Sequence, residues 1–223
     1  MLKSKVFFTS VAASLVLCAH ANGSVSNVSA IPVLNQHSPA LDKSLKSLRA
    51  GILRDAKDCM ENAKGMDAQG QYDADIKKTI ETPNFVGLQV EGESQCDGAH
   101  PNAYRYGISF DIRSGKRIDL NEAYAIGQRD GGSLFLTKES VVQVMIAFKK
   151  NNAKNHDCLD ETTFNDEYLM SKAFTMTVDS DGSLSLYFDV PYVEAACFSP
   201  IKLDAASVHK FRISQKADMY GLP

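Results

Sequence analysis

Between positions 41 and 63 the apolar residues keep a steady step. Leu41, Leu45, Leu48, Ile52, Ala56, Met60 and Ala63 return every three or four residues. That interval lines them along one face of a helix, since 3.6 residues complete a turn. Ser38-Pro39 in front reads as an N-cap followed by proline at the first helical position, and Gly65 marks the stop. Lys43, Lys46, Arg49, Arg54 and Lys57 fall mostly elsewhere on the wheel, with Asp42, Asp55 and Asp58 among them. Mixed charge of this kind predicts an ordinary solvated face, with a basic groove-binding helix as the other reading.

Beyond Gly65 the period shortens to two. Residues 75–81 and 85–92 read as strands, and Pro83-Asn84 between them as a turn. Tyr104, Tyr106, Ile108, Phe110 and Ile112 alternate strictly with Arg105, Gly107, Ser109, Asp111 and Arg113, so one face of this strand is apolar and the other wet. Ser114-Gly115 makes the next turn, and Arg117 to Leu120 leads into a short helical stretch. Thr137 caps a second long helix, on which Val141, Met145 and Phe148 share a face beside Val142 and Ile146. Lys149, Lys150 and Lys154 sit at its C-terminal end, where the helix dipole favours cations. Residues 173–178 and 184–190 flank Asp-Ser-Asp-Gly as a hairpin. Asp179 and Asp181 in that turn hint at calcium, but the third carboxylate and the distant Glu of a calcium loop are missing, so the run reads as a tight turn. The pattern predicts an α+β fold: an antiparallel sheet with two main helices packed on it, tied by two disulfides.

The start of the chain sets the compartment. Lys3 and Lys5 precede an apolar run from Val6 to Leu17 and then Ala19-His20-Ala21, the layout of a signal peptide cleaved after Ala21. Cys18 raises a lipoprotein alternative, but the large Leu17 stands where lipid-modification sites take a small residue. Cleavage leaves 202 residues (223 − 21) with a formal charge of −5 (−3 − 2), expected in the periplasm or secreted. The expected division is a signal peptide at 1–21, a mobile leader at 22–40 and a single α+β domain at 41–213. A C-terminal tail follows at 214–223. A mildly acidic chain with well-mixed signs carries no phosphate-binding footprint, which argues against nucleic acid. No later run is long and apolar enough to span a membrane, and the lack of Trp counts mildly against a carbohydrate platform.

Cys59, Cys96, Cys158 and Cys197 remain after cleavage. An even number in an exported chain favours disulfides, and no C-x-x-C or ligand-spaced His supports zinc. Of three possible pairings, Cys59–Cys96 with Cys158–Cys197 is favoured because each joins neighbouring elements.

Catalytic signatures are scarce. The chain has no G-x-S-x-G, H-E-x-x-H, P-loop or dinucleotide fingerprint. His37 lies in the leader, His209 near the end, and His156 in a polar loop beside Cys158. Asp160, Glu161, Asp166 and Glu167 could pair for glycosidic chemistry, but scattered acids suit a solvated loop. His100 remains. Gly98 permits positive φ, Pro101 holds His100 extended, and Asn102 can close an Asx-type turn, with Asp97 close by. Either His100 is an oriented base or it locks a corner between strands; without a companion nucleophile or metal set, the corner is favoured.

The order C-D-G-A-H-P-N, then F-D-I-R-S-G-K-R-I-D-L-N-E, then a helix, then L-S-L-Y-F-D-V-P-Y-V resembles an envelope domain family. That family forms the C-terminal part of a lysozyme-binding anti-sigma factor and accompanies some polysaccharide deacetylases. The likeness covers about residues 70–212. This chain departs from those members by its cleavable leader, its lack of a catalytic domain and its four cysteines. The resemblance implies a non-catalytic envelope domain whose loops bind a protein or glycan, with Asp97, Gly98, His100, Pro101 and Asn102 as the candidate contacts. The expected function is an exported binding protein, without cofactor or metal, that binds or inhibits a lysozyme-type muramidase; an acidic mature chain would be steered toward a basic enzyme. The alternative is a cell-wall glycan hydrolase or deacetylase-associated module using His100.

Overall fold

In the computed structural model, residues 25–97, 101–151, 164–195 and 198–223 are described. The expected signal peptide, Gly98, Ala99, His100, His156, Cys158 and Cys197 lie outside them.

The first strand, β1 (Val25–Val28), precedes the long helix α1 (Pro39–Gly65). Ser38 caps α1: its hydroxyl accepts from the Leu41 amide at 3.0 Å and donates to the Ile112 carbonyl. The cap therefore also ties the helix start to the end of a distant strand. Leu41, Leu45, Leu48, Ile52, Ala56, Cys59 and Ala63 form the buried stripe, matching the expected face except that Met60 is only partly covered.

That stripe packs on a four-stranded sheet in the order β1-β2-β3-β4, with β2 Gln71–Glu81, β3 Phe85–Gln95 and β4 Asn102–Asp111. Even-numbered positions face α1: Tyr72, Ala74 and Ile76 from β2, Val86, Leu88 and Val90 from β3, Ile108 and Phe110 from β4. β2, β3 and β4 pair antiparallel, as expected. β1 adds in parallel to β2, which makes the sheet mixed and corrects the purely antiparallel expectation.

The segment expected as a mobile leader is thus attached wherever it is described. Leu34 is buried in the α1 core, and the Glu81 carboxylate accepts from the amides of Asn35 and Gln36 at 2.7 and 2.6 Å. Arg49 donates to the carbonyls of Val28 and Ser29. An irregularity between Lys78 and Ile80 shifts the register, turning Ile80 to the opposite face, where it joins Phe85 in a second core.

That second core belongs to the rest of the chain. A 3₁₀ turn at Leu120–Glu122 leads to the hairpin β5 (Gly127–Asp130) and β6 (Ser133–Leu136), then to α2 (Lys138–Asn151) and α3 (Asp166–Ser171). β7 (Phe174–Val178), β8 (Leu184–Phe188) and β9 (Ile201–Leu203) form a three-stranded antiparallel sheet in that order. The short helices α4 (Tyr192–Ala195), α5 (Ala205–His209) and α6 (Ser214–Met219) complete the element order. Tyr124, Phe148, Leu169, Leu186 and Ile201 lie at the centre of this core.

The fold is therefore α+β, but with three sheets and two cores among the described residues. α1 serves one core and α2 the other, where a single sheet carrying both helices was expected. The expected C-terminal tail also proves structural. Ala217 and Leu222 are buried, and the Tyr124 hydroxyl donates to the Pro223 carbonyl at 2.6 Å.

Cys59 and Cys96 form a disulfide with Cα atoms 4.6 Å apart, joining the last third of α1 to the end of β3. It closes a loop of 37 residues; chain entropy assigns such a loop about 4 kcal/mol. The pairing expected between Cys158 and Cys197 lies outside the described residues. No described helix is long and apolar enough to cross a membrane.

Candidate functional site: the open edge of β4

β4 is the last strand of its sheet, so half of its backbone groups have no neighbour in the ladder. The odd-numbered residues turn theirs outward. In the lower half of the strand most of these groups are taken. The Gly107 amide donates to the Thr175 hydroxyl at 2.9 Å, the Ser109 carbonyl accepts from Ile118, and the Asp111 amide donates to the Lys116 carbonyl. In the upper half, no described residue bonds the outward groups of Ala103 and Arg105.

This open edge forms one wall of a cleft of about 710 Å³. The opposite walls come from Ile118, Leu134, Phe174 and Tyr187. Gly107 sets where the cleft begins. A Cβ at this position would fall 2.3 Å from the Met176 carbonyl oxygen, so glycine is required for β7 to cross β4 so closely. Ser109, also on the lining, is buried, and its hydroxyl has no hydrogen-bond partner among the described residues.

Above Gly107 the sheet face turned away from α1 is charged. Glu91 holds Lys77 at 2.5 Å and Arg105 at 2.9 Å, and Lys77 also reaches Asp75 at 3.2 Å. The Lys77 ammonium first, with Arg105, keeps the Glu91 carboxyl below its usual range against the opposing pull of partial burial. Asp73, Asp75, Glu91 and Glu93 face two cations, Lys77 and Arg105, on this surface. It is therefore acidic.

The loop singled out in the sequence sits at the same end. Asp97 follows β3, and Pro101 leads into β4. Asn102 pairs with Ser94 and lines the mouth of the cleft. Gly98 and His100 lie between them, outside the described residues. Behind this end the Tyr104 hydroxyl donates to the Asp73 carbonyl at 2.8 Å. Burial, with the neighbouring Tyr72, pushes the Tyr104 phenol well above its ordinary value, which fits a packing role and not a nucleophile.

At the other end of β4, the Asp-Ile-Arg-Ser-Gly-Lys corner has a clear structural purpose. Partial burial alone would raise the Asp111 pKa. The Ser114 hydroxyl and amide, both at 2.7 Å, outweigh that and hold it below its ordinary range. Gly115 has φ +66°, and a Cβ there would lie 2.4 Å from the Ala40 carbonyl oxygen. Ser44 donates to the Gly115 carbonyl at 2.7 Å. The corner is thereby clamped onto the first turn of α1.

No family model and no curated protein matches this sequence. Solved structures similar to it exist. One is a member of the DUF3298 family from Bacteroides fragilis, at 12% identity and a TM-score of 0.49, with 80% of this chain and 69% of that one covered. Another is a DUF3298 family protein from Pseudomonas aeruginosa, at 16% identity and a TM-score of 0.43, covering 64% of this chain and 62% of that one.

No local pattern marks the cleft, because its walls are contributed by residues 102–134 and 173–189, brought together only by the tertiary fold. The strict alternation along β4 was the one available signal. It marked a half-wet strand without saying that its edge was open. Among the described residues, no three His, Cys, Asp or Glu side chains are placed to hold a metal ion. The Asp179–Asp181 turn is held internally, with Asp179 and Asp181 accepting from Ser183 and binding Lys202.

Proposed function

We propose that this chain is an exported, non-catalytic binding protein of the bacterial cell envelope that receives an extended polypeptide segment of its partner along β4. The observation that carries this reading is the open backbone edge at Ala103 and Arg105 facing a cleft of about 710 Å³. Strand addition to such an edge draws affinity from main-chain hydrogen bonds and specificity from where alternate side chains land. Phe174, Leu134 and Ile118 offer the apolar side of the cleft; Arg105, Arg117, Asp119, Arg129 and Asp189 offer the polar one. The resemblance of the loop and the corner supplies the partner class, a lysozyme-type muramidase, and the acidic sheet face beside the cleft suits a basic partner.

A calorimetric panel of muramidases against the wild type and Ala103→Pro tests this. Proline removes the outward N–H, which the fold does not use, and leaves the β3 ladder in place. The expected result is a complex with at least one muramidase that weakens about tenfold or more in the variant, on the scale of one or two lost hydrogen bonds. Unchanged binding by a folded Ala103→Pro protein overturns the docking mode. Turnover of peptidoglycan by the wild type, abolished in His100→Ala, overturns the non-catalytic reading.

A further inference from the structure

A second concavity, of about 730 Å³, runs on the α1 side of β4. Leu48 and Ile52 of α1, with Phe110 and the ring of Tyr106, make its floor. Its rim is cationic: Lys43 and Arg54 come from the helix, Lys116 and Arg117 from the corner after β4. Asp55 is the one acidic residue among the lining, so the groove carries +3 (four cations less one carboxylate) in a chain whose formal charge is −3.

Eight described cations outside the groove are paired. Lys57, Lys77, Lys78, Arg105, Arg129, Lys202, Arg212 and Lys216 each have a carboxylate within 4.0 Å. Lys43, Arg54, Lys116 and Arg117 make no ion pair with any described residue. They are also held together by design of the backbone. The contact of Gly115 with Ala40 and the bond from Ser44 to Gly115 place Lys116 and Arg117 beside the helix residues. Four like charges collected on one concave surface repel one another and raise the local concentration of anions.

We propose that this groove docks a polypeptide segment of a partner in which acidic residues are interleaved with apolar ones. The cationic rim selects carboxylates, and the apolar floor selects the second half of that description. A polyphosphate has nothing to place against Leu48, Ile52 and Phe110. A lipid surface needs apolar side chains that project outward, whereas these three are sunk below the rim. The site is separate from the open edge of β4. The two linings have Tyr106 and Arg117 in common.

The test uses a short fluorescent peptide in which Glu alternates with Leu, titrated into the full chain. Saturable binding is expected, weakening about tenfold or more in the double variant Lys43→Glu/Lys116→Glu and falling as salt rises. Ala103→Pro should leave it unchanged, which separates this site from the proposed cleft. Both reversed residues are exposed, and melting curves check that the variant is folded; Arg54→Glu alone, on the outer face of α1, gives a second reading. Failure of the peptide to bind overturns the proposal, as does equal binding by the charge-reversed proteins. Polyphosphate, phosphatidylglycerol vesicles or a Glu–Ser peptide binding as tightly as the Glu–Leu peptide overturns it too, by removing the role of the floor.

Discussion

The two ends of β4 solve recognition in opposite ways. At the loop end, Lys77, Glu91 and Arg105 already bind one another, so their charges are largely answered within the fold. What lies open there is backbone. At the corner end the backbone is closed by Ile118, Lys116 and Thr175, and what lies open is side-chain charge on Lys43, Arg54, Lys116 and Arg117. Paired surface charges contribute little energy and little long-range field, whereas unpaired ones of one sign act over about a Debye length. Binding at the loop end should therefore depend on salt less steeply than binding at the corner end.

Removing one end's support while sparing the other breaks the comparison most directly. Cys59→Ser with Cys96→Ser frees the loop end from α1. It should lower stability by about 4 kcal/mol by the chain-entropy estimate, read as a shift of the denaturant midpoint, and muramidase binding should fall with it. Gly115→Ala acts at the corner. The left-handed φ and the 2.4 Å approach to Ala40 leave no room for a methyl group. A loss of about 1–3 kcal/mol is expected, with the Glu–Leu peptide lost first and the loop-end complex retained in the folded fraction.

Acid distinguishes the ends least. Glu91 and Asp111 both have depressed carboxyl pKa values, the first through Lys77, the second through Ser114 against the effect of burial. A carboxyl lowered in the folded state lends its full stabilisation above its unfolded value, near 4. That contribution is lost as pH falls through the lower folded value. Melting temperature should hold from pH 7 to about 5 and decline below about 4. Glu91→Gln and Asp111→Asn should each flatten part of that decline, which thermal scans across the acid range would show.

Much of this architecture was legible because it rests on local periodicity. The α1 stripe, the β4 alternation, the hairpin around residues 179–183 and the corner at Ser114-Gly115 all announce themselves within a few turns or pleats. The rest depends on distant partners. β1 is four residues of Val, Ser and Asn, with no apolar face of its own, and it exists as a strand because β2 offers an edge and Arg49 reaches Val28 and Ser29. The place of Ile80 in the second core turns on one irregularity near Thr79, which no hydrophobic pattern reveals. The basic residues of α1 looked like a solvated face because nothing in the helix itself shows that Lys116 and Arg117 arrive beside them. Of the candidate site, Asp97, Pro101 and Asn102 do fall at one end of the sheet; the cleft they adjoin is purely a product of the tertiary fold.

β1 also bears on how molecules of this protein meet one another. A sheet with two long bare edges can stack end to end, each copy templating the next. Here β2 spans Gln71–Glu81 but meets solvent only after β1 has covered the stretch Gln71 to Ala74 in parallel, and Ser29 accepts from the Ile76 amide just beyond. The far side of the sheet is thereby reduced to a short, polar border, and on the β4 side the stretch at Ala103 and Arg105 is left bare. An assembly built through strand pairing then stops at one guest per molecule, and two copies joined edge to edge through β4 would form a closed pair in place of a growing fibre.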